Sequence, residues 1–219
     1  MLRILIADDH EVARRGIRAL LEGHPGWEVC AEAKDGREAV ELATKMNPDL
    51  ILLDIGMPNL NGLEATRQIL AMSPEAVILI LTMHDTDHVV REVLRAGARG
   101  FLLKSDAGRD LVAAVEALQR QRTFFTTRVS QMVLDGYLDR DNRENEDTDD
   151  SSGEVLTTRE REVIQLLAEG KTSKEVAVTL NLSVKTAETH RTNLMRKLSL
   201  HSVADLTRYA VRNGIVQVF

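Results

Sequence analysis

Short apolar runs alternate with stretches of helical spacing over residues 1–120, and this alternation constrains the fold more than any other feature of the sequence. The apolar runs predict five strands: Leu2–Ala7, Glu28–Ala33, Leu50–Asp54, Val77–Thr82 and Gly100–Leu103. The stretches that follow them repeat apolar residues three and four positions apart, as one face of a helix does. Strands that alternate with helices predict an α/β domain with a parallel sheet.

The first helical stretch places four small or apolar residues on one face: Val12, Gly16, Ala19 and Leu20. Later stretches do the same with Ala39 and Leu42, with Leu63 and Ile69, with Val89 and Val93, and with Leu111 and Val115. We expect five amphipathic helices, and a sheet that is covered on both faces because its third strand is continuously apolar.

The remainder of the chain divides into a connecting segment and a helical region. Residues 121–154 connect the two parts, with a further helix predicted over 126–138 from the spacing of Val129, Met132 and Val133. Residues 139–154 contain two basic and eight acidic residues and no aliphatic or aromatic one, so we expect a disordered linker there. Residues 155–219 predict helices only.

The net charge of −6 at first argues against a nucleic-acid partner, because DNA-binding proteins are usually basic. Counted by segment, residues 1–138 carry 16 basic and 20 acidic side chains and residues 155–219 carry 10 and 6. The helical region is therefore basic, with a net charge of +4, and the linker holds a charge equal to that of the whole chain.

A lone cysteine, Cys30, excludes an intrachain disulfide framework, and we expect it to be buried and inert. No apolar run approaches the roughly 18–20 residues of a membrane span. We therefore expect a soluble cytoplasmic protein that does not bind membranes.

Polar residues follow the predicted strands where these end. Asp8 and Asp9 follow the first strand, Asp54 ends the third, Thr82 ends the fourth and Lys104 follows the fifth. In a flavodoxin-like sheet of strand order 2-1-3-4-5, ligands bind at the carboxyl ends where the order reverses, between strands 1 and 3. Three converging carboxylates repel one another, so a divalent cation is expected, and oxygen ligands favour Mg²⁺ or Mn²⁺. Such a site suits phosphoryl transfer, with Asp54 as the nucleophile.

Four segments of the first domain resemble a known family. The segments ILIADDHEVARRGI, DLILLDIGMPNLNGLEATRQI, LTMHD and RAGARGFLLKSD resemble the receiver domain of bacterial two-component response regulators of the NarL/FixJ type. The resemblance implies that Asp54 accepts a phosphoryl group from a sensor histidine kinase. It also implies that Asp9 binds Mg²⁺ directly, that Asp8 acts mainly through water, and that the Gly56 carbonyl completes the protein ligands.

The resemblance assigns three further residues. Lys104 matches the lysine that pairs with the phosphate, Thr82 the switch hydroxyl, and Phe101 the aromatic residue that follows this hydroxyl inward. An ordinary core phenylalanine at the start of the fifth strand is the alternative for Phe101.

The helical region carries several predicted helix starts. Thr157 with Glu160, Thr172 with Glu175, and Ser202 with Asp205 have the spacing of a reciprocal cap, and Ser183 is a further N-cap candidate. The second and third of these helices are separated by about three residues, which fits a helix-turn-helix.

The third helix, over Ser183–Leu198, has two distinct faces. Four apolar residues are expected to pack inward: Val184, Ala187, Leu194 and Leu198. Five polar residues form the other face: Lys185, Glu188, Thr189, Thr192 and Arg196. Their lengths suit contacts with base edges and phosphates in a major groove.

The segment from Leu156 to Gly214 resembles the LuxR-type DNA-binding domain. The resemblance implies that Glu188, Thr189 and Thr192 read bases, whereas Lys185, Arg191 and Lys174 contact phosphates. It also implies that part of the last helix, Ser202–Asn213, forms a homodimer contact on double-stranded DNA.

The sequence is compatible with three functions. The first is a phosphorylation-controlled transcription regulator. The second is a Mg²⁺-dependent aspartyl phosphatase or phosphotransferase, which the small first domain disfavours because it has no inserted cap to bind a substrate. The third is an adaptor whose helical domain binds another protein. The sequence favours the regulator, which is not an enzyme beyond its own phosphorylation and dephosphorylation.

Overall fold

A computed structural model of the chain describes residues 1–83, 86–126, 129, 131 and 156–216. Its sheet contains five parallel strands in the order β2-β1-β3-β4-β5, which confirms the predicted fold class. The strands are β1 (Leu2–Ala7), β2 (Trp27–Ala33), β3 (Leu50–Asp54), β4 (Ile78–Thr82) and β5 (Gly100–Leu103). All five strands end at the predicted residue. Three also begin there, whereas β2 begins one residue earlier and β4 one residue later than predicted.

Between residues 1 and 126, apart from the two residues not described, five helices cover the two faces of the sheet: α1 (Glu11–Glu22), α2 (Gly36–Met46), α3 (Gly62–Met72), α4 (Asp87–Ala96) and α5 (Ala107–Gln119). Alternate residues of β3 enter different cores. Ile51 and Leu53 lie in the core with α2, α3 and α4, whereas Leu50 and Leu52 lie in the core with α1 and α5. Both cores exclude water, which explains why the strand is continuously apolar.

The predicted face of α1 is wrong. Ile17 and Leu21 are the buried residues of this helix, whereas Val12 is 86% exposed and Gly16, Ala19 and Leu20 are also exposed. The helix is oriented by its arginines as well as by its apolar residues. Arg14 and Arg18 both pair with Glu32 of β2, at 2.8 and 2.7 Å, and this places the Ile17 side of the helix on the sheet.

Gly62 fixes the distance between the end of β3 and the start of α3. A Cβ atom at this position would lie 2.0 Å from the Asp54 carbonyl oxygen, which is backbone and cannot rotate away. We expect Gly62→Ala to lower the free energy of unfolding by at least about 1–3 kcal/mol, as overpacking does. Urea denaturation of the full chain measures this.

Gly16→Ala is the matched control, because a Cβ atom there meets nothing within 4 Å. Gly16 lies inside α1, so the alanine should stabilise the chain by about 0.5–1 kcal/mol. A Gly62→Ala variant as stable as wild type would show that α3 does not need this close approach.

Residues 156–216, the described part of the second domain, contain four helices: α6 (Thr158–Ala168), α7 (Ser173–Thr179), α8 (Val184–Lys197) and α9 (Val203–Arg212). Reciprocal caps at Thr157–Glu160 and Thr172–Glu175 are confirmed. Ser202 caps α9, because its hydroxyl oxygen accepts from the Asp205 amide. The Asp205 carboxylate accepts from the Ser202 hydroxyl instead of from the Ser202 backbone amide, so the predicted reciprocal cap is wrong here. None of the helices in the described ranges is long and apolar enough to cross a membrane.

The inward stripe of α8 is only partly as predicted. Ala187 and Leu194 are buried in the core with Leu206 and Ala210 of α9. Val184 is 39% exposed, so its predicted inward position is wrong. It is the first residue of the helix, where no preceding turn covers it.

The first residues of the connecting segment extend the sheet beside β5. The Phe101 amide donates to the Phe124 carbonyl and the Phe124 amide donates to the Arg99 carbonyl, at 2.9 and 3.1 Å. This part of residues 121–138 is therefore extended, not helical. Val129 is helical and buried. Thr126, the first residue of the predicted helix 126–138, is described and has no regular secondary structure, so the predicted start is wrong. The rest of that helix, apart from residues 129 and 131, and the whole acidic segment 139–154 lie outside the described residues.

Cys30 is half-buried, so the expectation of full burial is wrong. Its thiol donates to the Ile4 carbonyl at 3.4 Å. Burial raises the pKa of this thiol, which favours the unreactive protonated form.

The first domain contacts the second through α2, α3 and the loop that precedes α3, and the second domain contributes α6 and the segment after α9. Gln68 donates to Glu162 at 2.9 Å, and the side-chain amide of Asn61 donates to the Ile215 carbonyl at 2.9 Å. Arg37 of α2 lies 3.5 Å from Glu162. No sequence pattern predicted this contact.

Candidate functional site

The predicted carboxylates converge at one edge of the sheet. Asp8 follows β1 and Asp54 ends β3, and these strands are hydrogen-bonded neighbours. Both side chains are buried, with 1% and 4% of their residue surfaces exposed. Asp9 is partly exposed beside them. The edge between β1 and β3 is the predicted switch point of the strand order.

Lys104 joins the two buried carboxylates. Its ammonium lies 2.8 Å from an oxygen of Asp8 and 2.8 Å from an oxygen of Asp54. Burial raises the pKa of the Asp54 carboxyl, and Lys104 offsets part of that effect. Burial acts to lower the pKa of Lys104, but Asp54 and Asp8 outweigh it and raise the pKa of this ammonium above its usual value. Asp54 and Lys104 therefore combine a buried carboxylate with an ammonium that stays charged.

The site has the geometry and chemistry to hold a hard divalent cation. One ligand atom from each of Asp8, Asp9, His10 and Asp54 lies within 4.8 Å of the others. Three of these groups are carboxylates, and one ammonium does not balance their charge. His10 was not predicted here. Its ring lies 2.8 Å from Asp9, and its backbone amide donates to Asp8 at 2.9 Å, so it orients the two aspartates.

The remaining predicted residues surround this cluster or lie below it. The Gly56 amide bonds to the Asp54 carboxylate from the loop after β3. Thr82 is fully buried at the end of β4 and lies opposite Leu103, the residue before Lys104. Phe101 is buried opposite Ile80, in the core that includes Val90 and Val93 of α4. This position suits both a switch residue and an ordinary core phenylalanine.

Glu64 is a buried ionisable residue that sequence reasoning missed. It lies in the first turn of α3, is 1% exposed, and has Arg67 at 3.3 Å. Burial raises the pKa of its carboxyl, Arg67 and Arg161 offset part of this, and Glu162 adds to it. The signal available in the sequence was an Asn-x-x-Glu pattern at the start of a helix, which usually marks an exposed cap.

The raised pKa predicts a pH-dependent effect of Glu64→Gln. Below the pKa of the unfolded chain the carboxyl is protonated in both states, so it costs nothing. As the pH rises through the folded pKa, the buried group must ionise, and the folded state loses about 1.4 kcal/mol per unit of pKa difference. We expect Glu64→Gln to be more stable than wild type near neutral pH and this advantage to disappear in acid.

Urea titrations of both proteins across the acid range measure the difference, with Glu41→Gln on the exposed side of α2 as control. An advantage for Glu64→Gln that stays constant with pH would mean that ionisation of Glu64 is not its source.

The polar face of α8 is exposed among the described residues. Its five predicted residues are all exposed: Lys185, Glu188, Thr189, Thr192 and Arg196. Lys174 of α7 is exposed as well, whereas Arg191 is half-buried. The Thr189 hydroxyl donates to the Lys185 carbonyl at 2.9 Å, which leaves its oxygen as an acceptor.

The other side of α8 is held on the domain by charge. Lys197 pairs with Glu160 of α6 at 2.9 Å. Arg159 of α6 donates to the Leu180 carbonyl, at the turn that precedes α8, at 2.8 Å. Both contacts fix the angle at which α8 leaves the domain. The arrangement is that of a helix-turn-helix with its second helix presented outward.

Sequence reasoning also missed the polar residues of α6 that face the first domain. Glu162 and Gln165 are buried although they alternate with the apolar core residues Val163, Ile164, Leu166 and Leu167. The available signal was this spacing, since Glu162, Gln165 and Glu169 fall on one stripe. Such a stripe ordinarily faces water.

Comparison with known proteins agrees with this architecture. Residues 4–116 match the family model described as the response regulator receiver domain, and residues 154–210 match that of bacterial regulatory proteins of the luxR family. The chain is 38% identical to the transcriptional regulatory protein LiaR of Bacillus subtilis (strain 168), over 99% of this chain and 100% of LiaR. It is 34% identical to the transcriptional regulatory protein DegU of Brevibacillus brevis, over 99% of this chain and 96% of DegU.

A solved structure extends the likeness to three dimensions. RcsB from Salmonella enterica serovar Typhimurium, bound to promoter rprA in the presence of the phosphomimetic BeF3−, superposes with a TM-score of 0.59 at 27% identity. The match covers 95% of this chain and 97% of RcsB.

Fold and site together define a receiver domain joined to a helix-turn-helix domain. The chain belongs to the response regulators that carry a LuxR-type DNA-binding domain. This family regulates through DNA binding rather than by turnover of a separate substrate, and the phosphatase alternative is therefore not favoured.

Proposed function

We propose that phosphorylation of Asp54 controls DNA binding by the helical domain. The observation that carries this proposal is the contact of the Lys104 ammonium with both Asp8 and Asp54 at the carboxyl edge of the sheet. A buried carboxylate beside a fixed cation is the arrangement that phosphoryl transfer needs, because charge must be neutralised where the phosphoryl oxygens lie.

The phosphoryl donor in this proposal is a phosphohistidine of a sensor histidine kinase. An oxygen of Asp54 attacks the phosphorus, an O–P bond forms, and the P–N bond to the kinase imidazole breaks. Lys104 pairs with the transferred group. Asp9, Asp54 and the Gly56 carbonyl would hold Mg²⁺ or Mn²⁺, with Asp8 acting through water. That ion supplies neutralisation of the phosphoryl charge.

Thr82 and Phe101 transmit the change in this proposal. The new negative charge at Asp54 attracts the Thr82 hydroxyl, and the space that it vacates allows Phe101 to repack. Both residues are buried, so such a movement changes the packing of β4, β5 and α4.

The helical domain binds double-stranded DNA in this proposal. Glu188, Thr189 and Thr192 read base edges, Lys174, Lys185 and Arg191 contact phosphates, and Arg196 extends the same face. The exposure of this face and the basic charge of residues 155–219 support these roles. We further propose that the protein acts in the cytoplasm and binds DNA as a homodimer through α9. The domains would span residues 1–120 and 155–219, with 121–154 as linker.

Selection of bound sites from random duplex DNA, with and without a small phosphodonor and Mg²⁺, tests the proposal. We expect a defined sequence to be enriched, and more strongly with the phosphodonor. Failure to enrich any sequence in either condition would instead favour an adaptor that binds protein.

A further inference from the structure

One side chain of the helical domain holds the loop between β3 and α3. The Gln165 amide nitrogen donates to the Met57 carbonyl at 3.0 Å, and its amide oxygen accepts from the Asn61 backbone amide at 2.8 Å. Gln165 is 2% exposed, and its nitrogen also donates to Glu169 at 2.8 Å. Both ends of the side-chain amide are therefore used, as burial of an amide requires.

The loop that Gln165 holds begins at the phosphoryl-transfer site. Asp54 ends β3, and the Gly56 amide bonds to its carboxylate. The Met57 amide donates to the Ile55 carbonyl at 2.9 Å, which fixes the plane of the Gly56–Met57 peptide and hence the direction of the Gly56 carbonyl. Gln165 binds the next carbonyl along the chain.

The far end of the loop is fixed as well. Asn61 caps α3 through its side-chain oxygen, and the Asn61 backbone amide is the group that Gln165 accepts from. Gln165 therefore spans the loop from Met57 to Asn61. The Met57 carbonyl belongs to the Met57–Pro58 peptide, so Gln165 holds the peptide next to the one that carries the Gly56 carbonyl. This is a contact between domains that reaches to within one residue of a predicted metal ligand.

We propose that Gln165 is a positioning residue for the phosphoryl-transfer site, through its hold on the loop that carries Gly56. This inference rests on the proposed function, because it takes the Gly56 carbonyl as a Mg²⁺ ligand. Docking of the helical domain then favours Mg²⁺ binding, and by reciprocity Mg²⁺ favours docking.

Titration calorimetry of the full chain with Mg²⁺ tests the proposal without any phosphodonor. Gln165→Met keeps the length of the side chain and removes both loop contacts. Gln165→Glu keeps the acceptor for Asn61 and places an oxygen against the Met57 carbonyl. We expect both variants to raise the Kd for Mg²⁺ about three- to tenfold, which corresponds to one typical hydrogen bond.

Gln68→Met is the matched control, because Gln68 crosses the same interface to Glu162 but lies on α3 and does not touch the loop. We expect its Mg²⁺ affinity to stay within about twofold of wild type. Amide hydrogen exchange supplies a second measurement, since the Asn61 amide should exchange faster in Gln165→Met than in Gln68→Met.

The outcomes separate this inference from the proposed function. Wild-type chain that binds Mg²⁺ while Gln165→Met and Gln165→Glu bind it equally well or better overturns only the role of Gln165. Equal weakening by Gln68→Met also overturns it, because the effect would then belong to the interface in general. Wild-type chain that binds no Mg²⁺ overturns both proposals.

Discussion

Asp54→Asn is expected to abolish phosphorylation of the chain. With Mg²⁺ and a small phosphodonor, the wild-type protein should gain the mass of one PO₃H group, and the variant should gain none. The amide cannot supply the carboxylate oxygen that attacks phosphorus. It fits the same volume, so Lys104 keeps Asp8 as a partner at 2.8 Å and the fold should be retained. Intact-mass spectrometry of both proteins gives the result directly.

Asp49→Asn is a matched control from the other end of the same segment. Asp49 precedes β3 and accepts from the Arg3 backbone amide at 2.7 Å, at the edge of the sheet opposite the site. We expect this variant to be phosphorylated as wild type is. A mass gain that persists in Asp54→Asn, or that is lost in Asp49→Asn, would contradict the assignment of Asp54.

Two substitutions on α8 are expected to affect DNA binding in different ways. Thr189→Ala should reduce discrimination at one position of the bound site by about 1–3 kcal/mol, because a base contact carries sequence information. Lys185→Ala should weaken binding to all sequences alike and reduce the slope of log Kd against log salt by about one, because one fewer counterion is released. Fluorescence anisotropy with selected and scrambled duplexes over a range of salt concentrations measures both effects.

Lys45→Ala is the control for the loss of charge, because Lys45 is exposed in the last turn of α2 in the other domain. It should leave the salt slope unchanged. If Thr189→Ala weakens selected and scrambled DNA by the same factor, Thr189 does not read a base. If Lys45→Ala matches Lys185→Ala, the effect of charge is not local to α8.

The sequence predicted the site better than it predicted how the domains meet. All five strand ends were correct, because each apolar run either ends in a polar residue, as at Asp54, or is followed directly by one, as at Lys104. Asp54 and Lys104 were therefore placed at one edge by the topology of a parallel sheet alone. Local patterns predicted the position of a residue correctly wherever its own strand decides whether it is buried.

Patterns were insufficient where a neighbouring element decides burial. Val12 looks like a core residue of α1, but Arg14 and Arg18 reach Glu32 and the helix presents Ile17 instead. Gln165 looks like a residue of a solvated stripe, but it is buried and its amide bonds to the loop of the other domain. A single sequence does not contain the position of that loop relative to α6.

The effect of phosphorylation on DNA affinity tests the central claim most directly. The Kd for a selected duplex should be measured for wild type and Asp54→Asn, each with and without phosphodonor and Mg²⁺. Regulation by Asp54 predicts that the phosphodonor changes the wild-type Kd by about tenfold, within the usual range of coupling between sites, and leaves that of Asp54→Asn unchanged. The same Kd in all four measurements, or the same change in both proteins, would contradict it.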